Sequence, residues 1–179
     1  MKRLLILFCI MGLSGCGSCC RVSSSYDIDF SVASKPIKAE HSLYITLPED
    51  AVYRNKTYPT TGKAVQQELY SQFKLQVDKA ETAFSVQTKE DYLKEAKNAN
   101  IDLLVIPQIT YWEDRVTSGS GKPDKTEVVV DIVDVKTEKN VNRAKISAEG
   151  PTMTFVNHHP DYLLGKAFVE YVQRLYDNL

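Results

Sequence analysis

Residues 101–112 read IDLLVIPQITYW and are the most apolar strand that the sequence predicts. Residues 103–106 run without a polar side chain, which indicates burial on both faces of a sheet. Pro107 lacks an amide donor, so we expect it at a bulge or at the end of a hydrogen-bonded ladder. This strand is therefore predicted to lie at the centre of the fold.

Shorter elements surround this strand, identified by alternating apolar residues in strands and by apolar stripes at helical spacing in helices. The predicted strands are residues 43–47, 83–87, 128–135 and 141–148, and the predicted helices are residues 61–75, 88–99 and 161–176. Thr61 should cap the first helix, and Thr88 with Asp91 should form a capping box for the second. The apolar face of the last helix comprises Leu164, Phe168, Tyr171 and Leu175.

The order of these elements, β-α-β-α-β-β-β-α, predicts an α+β fold. We expect a two-layer α/β sandwich in which the helices cover one face of a mixed sheet. Residues 49–60 and 117–125 are predicted loops, and residues 153–156 could add a final strand. Residues 26–32 alternate apolar and polar side chains and are either a short strand or part of a tether.

The N-terminus carries a lipobox, LSGC at residues 13–16, behind a basic start and a short apolar run. The apolar run is well short of the roughly 20 residues that a transmembrane helix needs. The thiol of Cys16 is the nucleophile that would take the diacylglycerol. We predict a signal peptide over residues 1–15, a lipidated N-terminus and flexible tether over residues 16–40, and a single periplasmic α/β domain over residues 41–179.

The residue after the lipidated cysteine bears on which membrane the protein reaches. Gly17, and not aspartate, follows Cys16. By similarity to sorted lipoproteins, this favours the outer membrane, with the domain on the periplasmic face. The lipid on Cys16 is then the membrane anchor, and no cofactor is expected.

The charge balance makes some partners improbable. The chain has 22 basic and 23 acidic residues, and removal of Lys2 and Arg3 with the signal peptide leaves 20 basic against 23 acidic residues. A mildly acidic chain gives no support for nucleic-acid binding or for electrostatic attachment to anionic lipid.

All four cysteines precede residue 21, so the folded domain contains none; they are Cys9, Cys16, Cys19 and Cys20. Cys19 or Cys20 could pair with another chain in an oxidising compartment and give a disulfide-linked dimer. The alternative is that both remain free thiols in the tether.

Two patterns resemble chemical sites, and neither is complete. His158 and His159 with Asp161 could bind zinc or copper, but adjacent residues of an extended chain point apart, and Asp161 as a helix cap is the simpler interpretation. Residues 119–122 read GSGK but lack the flanking residues of a phosphate-binding loop. No serine lies in a Gly-x-Ser-x-Gly elbow. We therefore predict no catalytic residue, no metal ligand and no enzymatic activity.

The end of the central strand is the candidate interaction surface. It comprises Tyr111, Trp112, Asp114 and Arg115. Tryptophan, tyrosine and arginine are the residue types enriched at binding hot spots. The alternative is that Trp112 closes the core and Arg115 pairs with an acid.

Several stretches, taken with the lipobox, resemble a family of uncharacterised bacterial lipoproteins known as domain of unknown function 4823. They are residues 43–48 with Tyr58 and Pro59, residues 99–104 with Trp112, Asp114 and Arg115, and Thr154, Phe155, Pro160, Asp161, Leu163, Leu164, Gly165, Glu170 and Tyr171. The resemblance implies a compact envelope domain and implies no activity.

Together these observations favour a lipid-anchored, non-catalytic cell-envelope lipoprotein whose domain binds another envelope component. One alternative is a structural or assembly lipoprotein that self-associates. A small enzyme acting on cell-wall or lipid material is a further alternative.

Replacement of the lipobox cysteine tests the anchor. Cys16→Ala should abolish lipidation and leave an uncleaved or mislocalised precursor, because Cys16 supplies the thiol at the cleavage point. Incorporation of a clickable palmitate analogue is the measurement. Continued labelling of the variant would mean that Cys19 or Cys20 carries the lipid.

Overall fold

The computed structural model describes residues 24–32, 37–114, 122–151 and 160–176. Within these ranges the chain forms a six-stranded mixed sheet, a separate two-stranded sheet and three helices. The predicted α+β class is confirmed. The elements are β1 (Ser25–Val32), β2 (Leu43–Ile45), β3 (Ala51–Tyr53), β4 (Lys56–Tyr58), α1 (Thr61–Phe73), β5 (Ala80–Thr82), α2 (Lys89–Asn98), β6 (Leu103–Glu113), β7 (Lys125–Asp134), β8 (Asn140–Glu149) and α3 (Pro160–Tyr176).

The main sheet has the order β1-β8-β7-β6-β2-β5. Strand β6 pairs antiparallel with β7 along its whole length and parallel with β2 at residues 103–105, so its predicted central position is confirmed. The carbonyl of Val105 accepts a hydrogen bond from the amide of Thr46 (2.9 Å). The N–H and C=O groups of successive strand residues point to alternate sides, so the nitrogen of Pro107 faces the β2 side, as the carbonyl of Val105 does. Strand β2 has already ended at this level, so the lack of an amide donor at Pro107 costs no hydrogen bond to β2.

The helices do not all lie on one face, which corrects the expected arrangement. Helices α1 and α3 pack into the main core with Leu103 and Val105 of β6, whereas α2 packs with Leu104 in a second cluster. Neighbouring side chains of a strand point to opposite faces, so α2 covers the other side of the sheet. Crossover connections between parallel strands are right-handed. The chain moves from β2 to β5 in one direction across the sheet and from β5 to β6 in the other, so the two connecting helices lie on opposite faces.

The folded domain begins before the predicted boundary at residue 41. Strand β1 pairs antiparallel with β8 from Ser25 opposite Glu149 to Val32 opposite Arg143. Of the two interpretations of residues 26–32, the strand is therefore the correct one. The tether predicted over residues 16–40 is shortened accordingly.

The loop predicted at residues 49–60 contains a β-hairpin instead. Strands β3 and β4 pair antiparallel, and Arg54 and Asn55 between them have φ values of 48° and 64°. Positive φ at both central residues is typical of the type I′ turn that suits the twist of a two-residue hairpin.

The residue that caps the start of helix α1 is Asp50, and not Thr61 as predicted. The carboxylate of Asp50 accepts hydrogen bonds from the amides of Thr60 (3.1 Å) and Gly62 (2.9 Å). Thr61 instead accepts from the amide of Ala51 (2.8 Å). A methyl group at Gly62 would overlap the carbonyl oxygen of Pro48, so the helix can lie this close to that loop only with glycine.

Other local predictions are confirmed. The hydroxyl of Thr88 accepts from the amide of Asp91 (3.2 Å) and caps α2. The predicted apolar face of α3 is fully buried in the core, with Phe168 and Tyr171 at 0% exposure. Residues 153–156, the predicted final strand, lie outside the described residues.

Strand β5 is displaced by a few residues from the predicted strand at 83–87. Residues 80–82 pair in parallel with β2, and the chain leaves the sheet at Ala83. Gln66 of α1, which is fully buried, donates its amide nitrogen to the carbonyls of Ile45 (3.1 Å) and Ala83 (2.9 Å). It thereby fixes β2 and β5 where both strands end.

Removal of the buried amide of Gln66 should be costly. Gln66→Met keeps the side-chain length but leaves the Ala83 carbonyl without this donor, and a buried unsatisfied group costs about 1–3 kcal/mol. Gln72→Met, at a half-buried position of the same helix, should change stability by less than about 0.5 kcal/mol. Urea unfolding of both variants is the measurement, and equal effects would contradict the role assigned to Gln66.

Docking of α3 can be tested in the same way. Phe168→Ala should lower the free energy of unfolding by roughly 3–5 kcal/mol, because it leaves a cavity in the core. Lys166→Ala, at an exposed position of the same helix, should barely move the urea midpoint. If the two midpoints shift by the same small amount, α3 does not dock as described.

Candidate functional site

A groove of about 520 Å³ lies beyond the end of β2 and beside the middle of β6, where these parallel strands stop being neighbours. Its lining includes residues 46–50 after β2, residues 106–109 of β6, Val52 of the hairpin, Val86, Gln87, Lys89 and Tyr92. The chain reverses its direction of winding here, since β5 and β6 flank β2 on opposite sides. In open α/β sheets, ligands bind in the crevice at such a switch point.

One wall of this groove is formed by residues 106–109 of β6, beyond the end of β2. Strand β2 pairs with β6 only as far as Val105, and β3, which packs beside β6, pairs with β4 in its own sheet. The backbone groups of Pro107 and Ile109 face the β2 side, and Pro107 has no amide donor. A proline on a strand edge opposes pairing with a further strand, so side chains and not backbone groups dominate this wall.

Residues 83–88, here called the Phe84 segment, form the rim between this groove and a second cavity. Backbone groups of alternate residues, at positions 83, 85 and 87, form hydrogen bonds that hold the segment to the rest of the domain. The amide of Ala83 donates to the carbonyl of Ile45 (3.0 Å), and the hydroxyl of Tyr92 lies 2.9 Å from the carbonyl of Ser85 and 3.0 Å from the amide of Gln87.

The alternate residues of the Phe84 segment point to solvent. Phe84 is 98% exposed, the highest value for a large apolar side chain among the described residues, and Val86 is 49% exposed. Val52 on the opposite side of the groove is 63% exposed. Fixed backbone contacts therefore hold apolar side chains in water at this end of the sheet.

The second cavity, of about 300 Å³, is lined by Tyr44, Glu81, Thr82, Phe84, Glu95, Ala96 and Ala99. The carboxylate of Glu95 accepts from the hydroxyl of Tyr44 (2.6 Å) and from the side-chain amide of Gln87 (2.9 Å). These bonds lower the pKa of Glu95, while burial and the same carboxylate raise the pKa of Tyr44. Glu95 is thus held ionised in a defined orientation.

Acidic groups predominate around both cavities. Glu49 and Asp50 line the groove with a single cation, Lys89, and Glu81 and Glu95 line the second cavity. Glu81 pairs with Lys79 (3.2 Å) outside the cavity lining. The Phe84 end of the sheet therefore combines exposed apolar side chains with a negative rim.

The predicted interaction surface is not continuous. Trp112 is 2% exposed and belongs to the main core, so it offers no contact area. Tyr111 is 41% exposed, Asp114 is half-buried, and Arg115 lies outside the described residues. The physical reason is strand alternation, because Tyr111 and Trp112 point to opposite faces of β6.

Tyr111 has a structural partner. Its hydroxyl donates to Glu113 (2.9 Å), and this bond raises the pKa of Tyr111 to about 12. The hydroxyl of Tyr53 also donates to Glu113, and the rings of Tyr53 and Tyr111 meet edge to face at 5.9 Å. The buried carboxylate of Glu113 therefore joins the β3–β4 hairpin to β6.

A third cavity, of about 440 Å³, lies on the open face of the sheet beside Tyr26 and Tyr111. Charged side chains on this face pair across strands: Lys125 with Glu149 (3.1 Å), Arg143 with Asp131 (3.1 Å) and Lys145 with Glu127 (3.6 Å). Their mutual pairing is typical of a solvated sheet face.

Several predicted features fall outside the described ranges, namely the lipobox with Cys16, the thiols of Cys19 and Cys20, and His158, His159 and the side chain of Asp161. In the ranges that are described, no group of three or more potential metal ligands occurs. No described helix is long and apolar enough to cross a membrane.

Sequence reasoning missed both the groove and the Phe84 segment. The alternation of Ala83, Phe84, Ser85, Val86 and Gln87 does carry a signal, since the period is that of a strand. Its interpretation as a strand was wrong because the chain leaves the sheet at Ala83, which is buried, and the large apolar members Phe84 and Val86 are exposed.

Solved structures resemble this fold at low sequence identity. Two structures of the PelC dodecamer from Paraburkholderia phytofirmans match with TM-scores of 0.60 and 0.64 and identities of 11% and 9%. They cover 82% and 84% of this chain and 96% and 98% of theirs, which shows a shared fold and no more. The lipoprotein GNA1162 from Neisseria meningitidis is less similar, with a TM-score of 0.44, 14% identity, and coverage of 77% of this chain and 98% of its own.

Comparison at the level of sequence is more specific. No curated protein matches the chain. One family does, over residues 35–175, which include every element of the sheet except β1 and nearly all of α3. The chain therefore belongs to the family described as a domain of unknown function (DUF4823).

Proposed function

We propose that this protein is a lipid-anchored, non-catalytic cell-envelope protein whose domain binds another envelope protein through the Phe84 end of the sheet. The observation that carries this proposal is Phe84 itself, held 98% exposed by a segment fixed at alternate residues. The aromatic ring lies between a groove of about 520 Å³ and a cavity of about 300 Å³.

The arrangement differs from incidental exposure of apolar residues. Scattered exposed side chains are normal, but apolar residues grouped beside concave surfaces mark interaction sites. Val52 and Val86 both line the groove, beside residues 106–109 of β6. A partner segment bound in the groove would cover both valines.

Charge complementarity indicates the composition of the partner. The groove and the cavity are lined by one cation, Lys89, and by four acids, Glu49, Asp50, Glu81 and Glu95, of which Glu81 pairs with Lys79 and Asp50 caps α1. Opposite charges across an interface guide association and exclude wrong partners. The expected occupant is therefore a protein segment that carries both apolar and basic side chains.

The titratable groups of the described chain support a non-catalytic role. The pKa shifts of Asp102 and Tyr111 arise from hydrogen bonds that join elements, between Asp102 and Ser42 and between Tyr111 and Glu113. Tyr171 is buried in the core, where its hydroxyl donates to Asn142 (3.2 Å). Tyr44 and Glu95 do share a cavity, but their pKa shifts arise from burial and from the hydrogen bonds that hold these side chains in place, and no histidine is among the described residues that line that cavity.

The proposed location follows from the sequence. A lipid on Cys16 would anchor the protein, and Gly17 after it favours the outer membrane, on the periplasmic face. Eight residues lie between Cys16 and Ser25, the start of β1. Even fully extended, nine peptide steps span at most about 30 Å, so the domain would stay close to the membrane surface.

Self-association is a second candidate, favoured by the likeness to a protein that forms dodecamers. A symmetric contact through the Phe84 end would place Glu81 and Glu95 of two copies near each other, which is unfavourable. A head-to-tail contact through different surfaces would avoid this repulsion and can close into a ring. A disulfide between Cys19 or Cys20 of two chains would be a further link.

Photo-crosslinking in cells tests the proposal. With the photoreactive residue p-benzoylphenylalanine at position 84 of the full-length protein, we expect a discrete adduct with another envelope protein. Val86→Asp should strongly reduce the adduct, because a charge in the groove wall opposes apolar burial. The same photoreactive residue at position 75, where the native leucine is 78% exposed just beyond the C-terminal end of α1, is the control.

Each result of the crosslinking experiment is decisive. An adduct that mass spectrometry identifies as a second copy of the chain supports self-association instead. No adduct from position 84, or the same adduct from position 75, contradicts the proposed binding site.

A further inference from the structure

We propose that the cavity beside Glu95 binds an arginine side chain of the partner protein. This inference rests on the proposed function and specifies the group that the second cavity recognises. The cavity brings together an oriented carboxylate, two aromatic rings and a floor of small side chains, which are Glu95, Tyr44, Phe84, Ala96 and Ala99.

The carboxylate of Glu95 is oriented without a cation. Each of its oxygens accepts one hydrogen bond from a neutral donor, Oε2 from Tyr44 and Oε1 from Gln87. Among the described residues, no lysine or arginine forms an ion pair with it. One acceptor position remains on each oxygen, which suits the two parallel N–H donors of a guanidinium group.

The aromatic side chains suit the same ligand. Tyr44 packs edge to face against Tyr92 at 6.3 Å, which fixes its ring in the cavity wall. Phe84 lies on the rim with both ring faces free, since it is 98% exposed. A guanidinium group stacks on aromatic faces and keeps its charge, whereas the compact ammonium of lysine forms no such planar contact.

The floor of the cavity leaves room for a long side chain. Ala96 of α2 and Ala99, which directly follows the helix, line it together with Glu95, and neither alanine projects beyond Cβ. The volume of about 300 Å³ lies at the lower limit of small-molecule sites, so it suits one side chain better than a folded surface. The adjoining groove would hold the neighbouring apolar residues of the same segment.

The experiment uses N-acetyl-arginine amide as the probe and the full-length lipidated protein in detergent micelles. NMR titration should shift the signals of Ala96 and Ala99, with a dissociation constant in the millimolar range expected for a single contact. N-acetyl-citrulline amide, of the same shape but uncharged, should bind at least about tenfold more weakly, because it loses the charge-assisted bonds.

Variants of α2 supply the matched comparison. Glu95→Gln should weaken arginine binding at least about tenfold, and Glu90→Gln, an exposed glutamate of the same helix, should leave it unchanged. Equal binding of the citrulline probe, unchanged binding to Glu95→Gln, or no shifts at about 50 mM probe would overturn the inference.

The same variants separate this inference from the proposed function. If the arginine probe fails while crosslinking from position 84 persists, the arginine site is wrong and the binding surface stands. If crosslinking from position 84 fails while the arginine probe binds selectively, the cavity binds a cation, but the surface does not bind an envelope protein.

Discussion

Right-handed crossover of parallel strands is the constraint on which the rest of this structure depends. From β2 the chain passes through α1 to β5 on one side, then through α2 to β6 on the other. Because both connections must be right-handed, α1 and α2 lie on opposite faces of the sheet. Reversal at β2 also leaves a crevice beyond the end of β2, beside residues 106–109 of β6, and this crevice is the groove.

Buried hydrogen bonds then convert that crevice into a defined surface. Gln66 joins the ends of β2 and β5, and the hydroxyl of Tyr92 holds the carbonyl of Ser85 and the amide of Gln87. Ordering an exposed segment costs conformational entropy of about 1–2 kcal/mol per residue, which these contacts offset. Phe84 and Val86 are thus presented in fixed positions, and a partner need not order them on binding.

Strand β1 starts at the same end of the sheet as the groove. Strand β1 starts at Ser25, opposite Glu149 of β8, and Glu149 lies opposite Lys125 of β7. Lys125 in turn lies opposite Glu113, the last residue of β6. The first residue of β1 is therefore at the end of the sheet where β6 finishes, and the parallel strands β2 and β5 run towards the same end. A lipid on Cys16, as proposed, would hold the groove end of the sheet towards the membrane. The fold is similar to that of the PelC dodecamer structures at low sequence identity.

Elements with a local signature could be predicted from the sequence. The apolar run at residues 103–106 determined the central strand, the stripe of α3 its buried face, and Thr88 with Asp91 the start of α2, because each depends on periodicity or capping within a few residues. The tertiary structure decided what depends on distant partners: the face that α2 covers, the strand at 25–32, the hairpin at 51–58 and the exit of the chain at Ala83. Residues 83–87 have the same alternation in either orientation, and only the contacts with Gln66 and Tyr92 determine that Phe84 and Val86 face solvent.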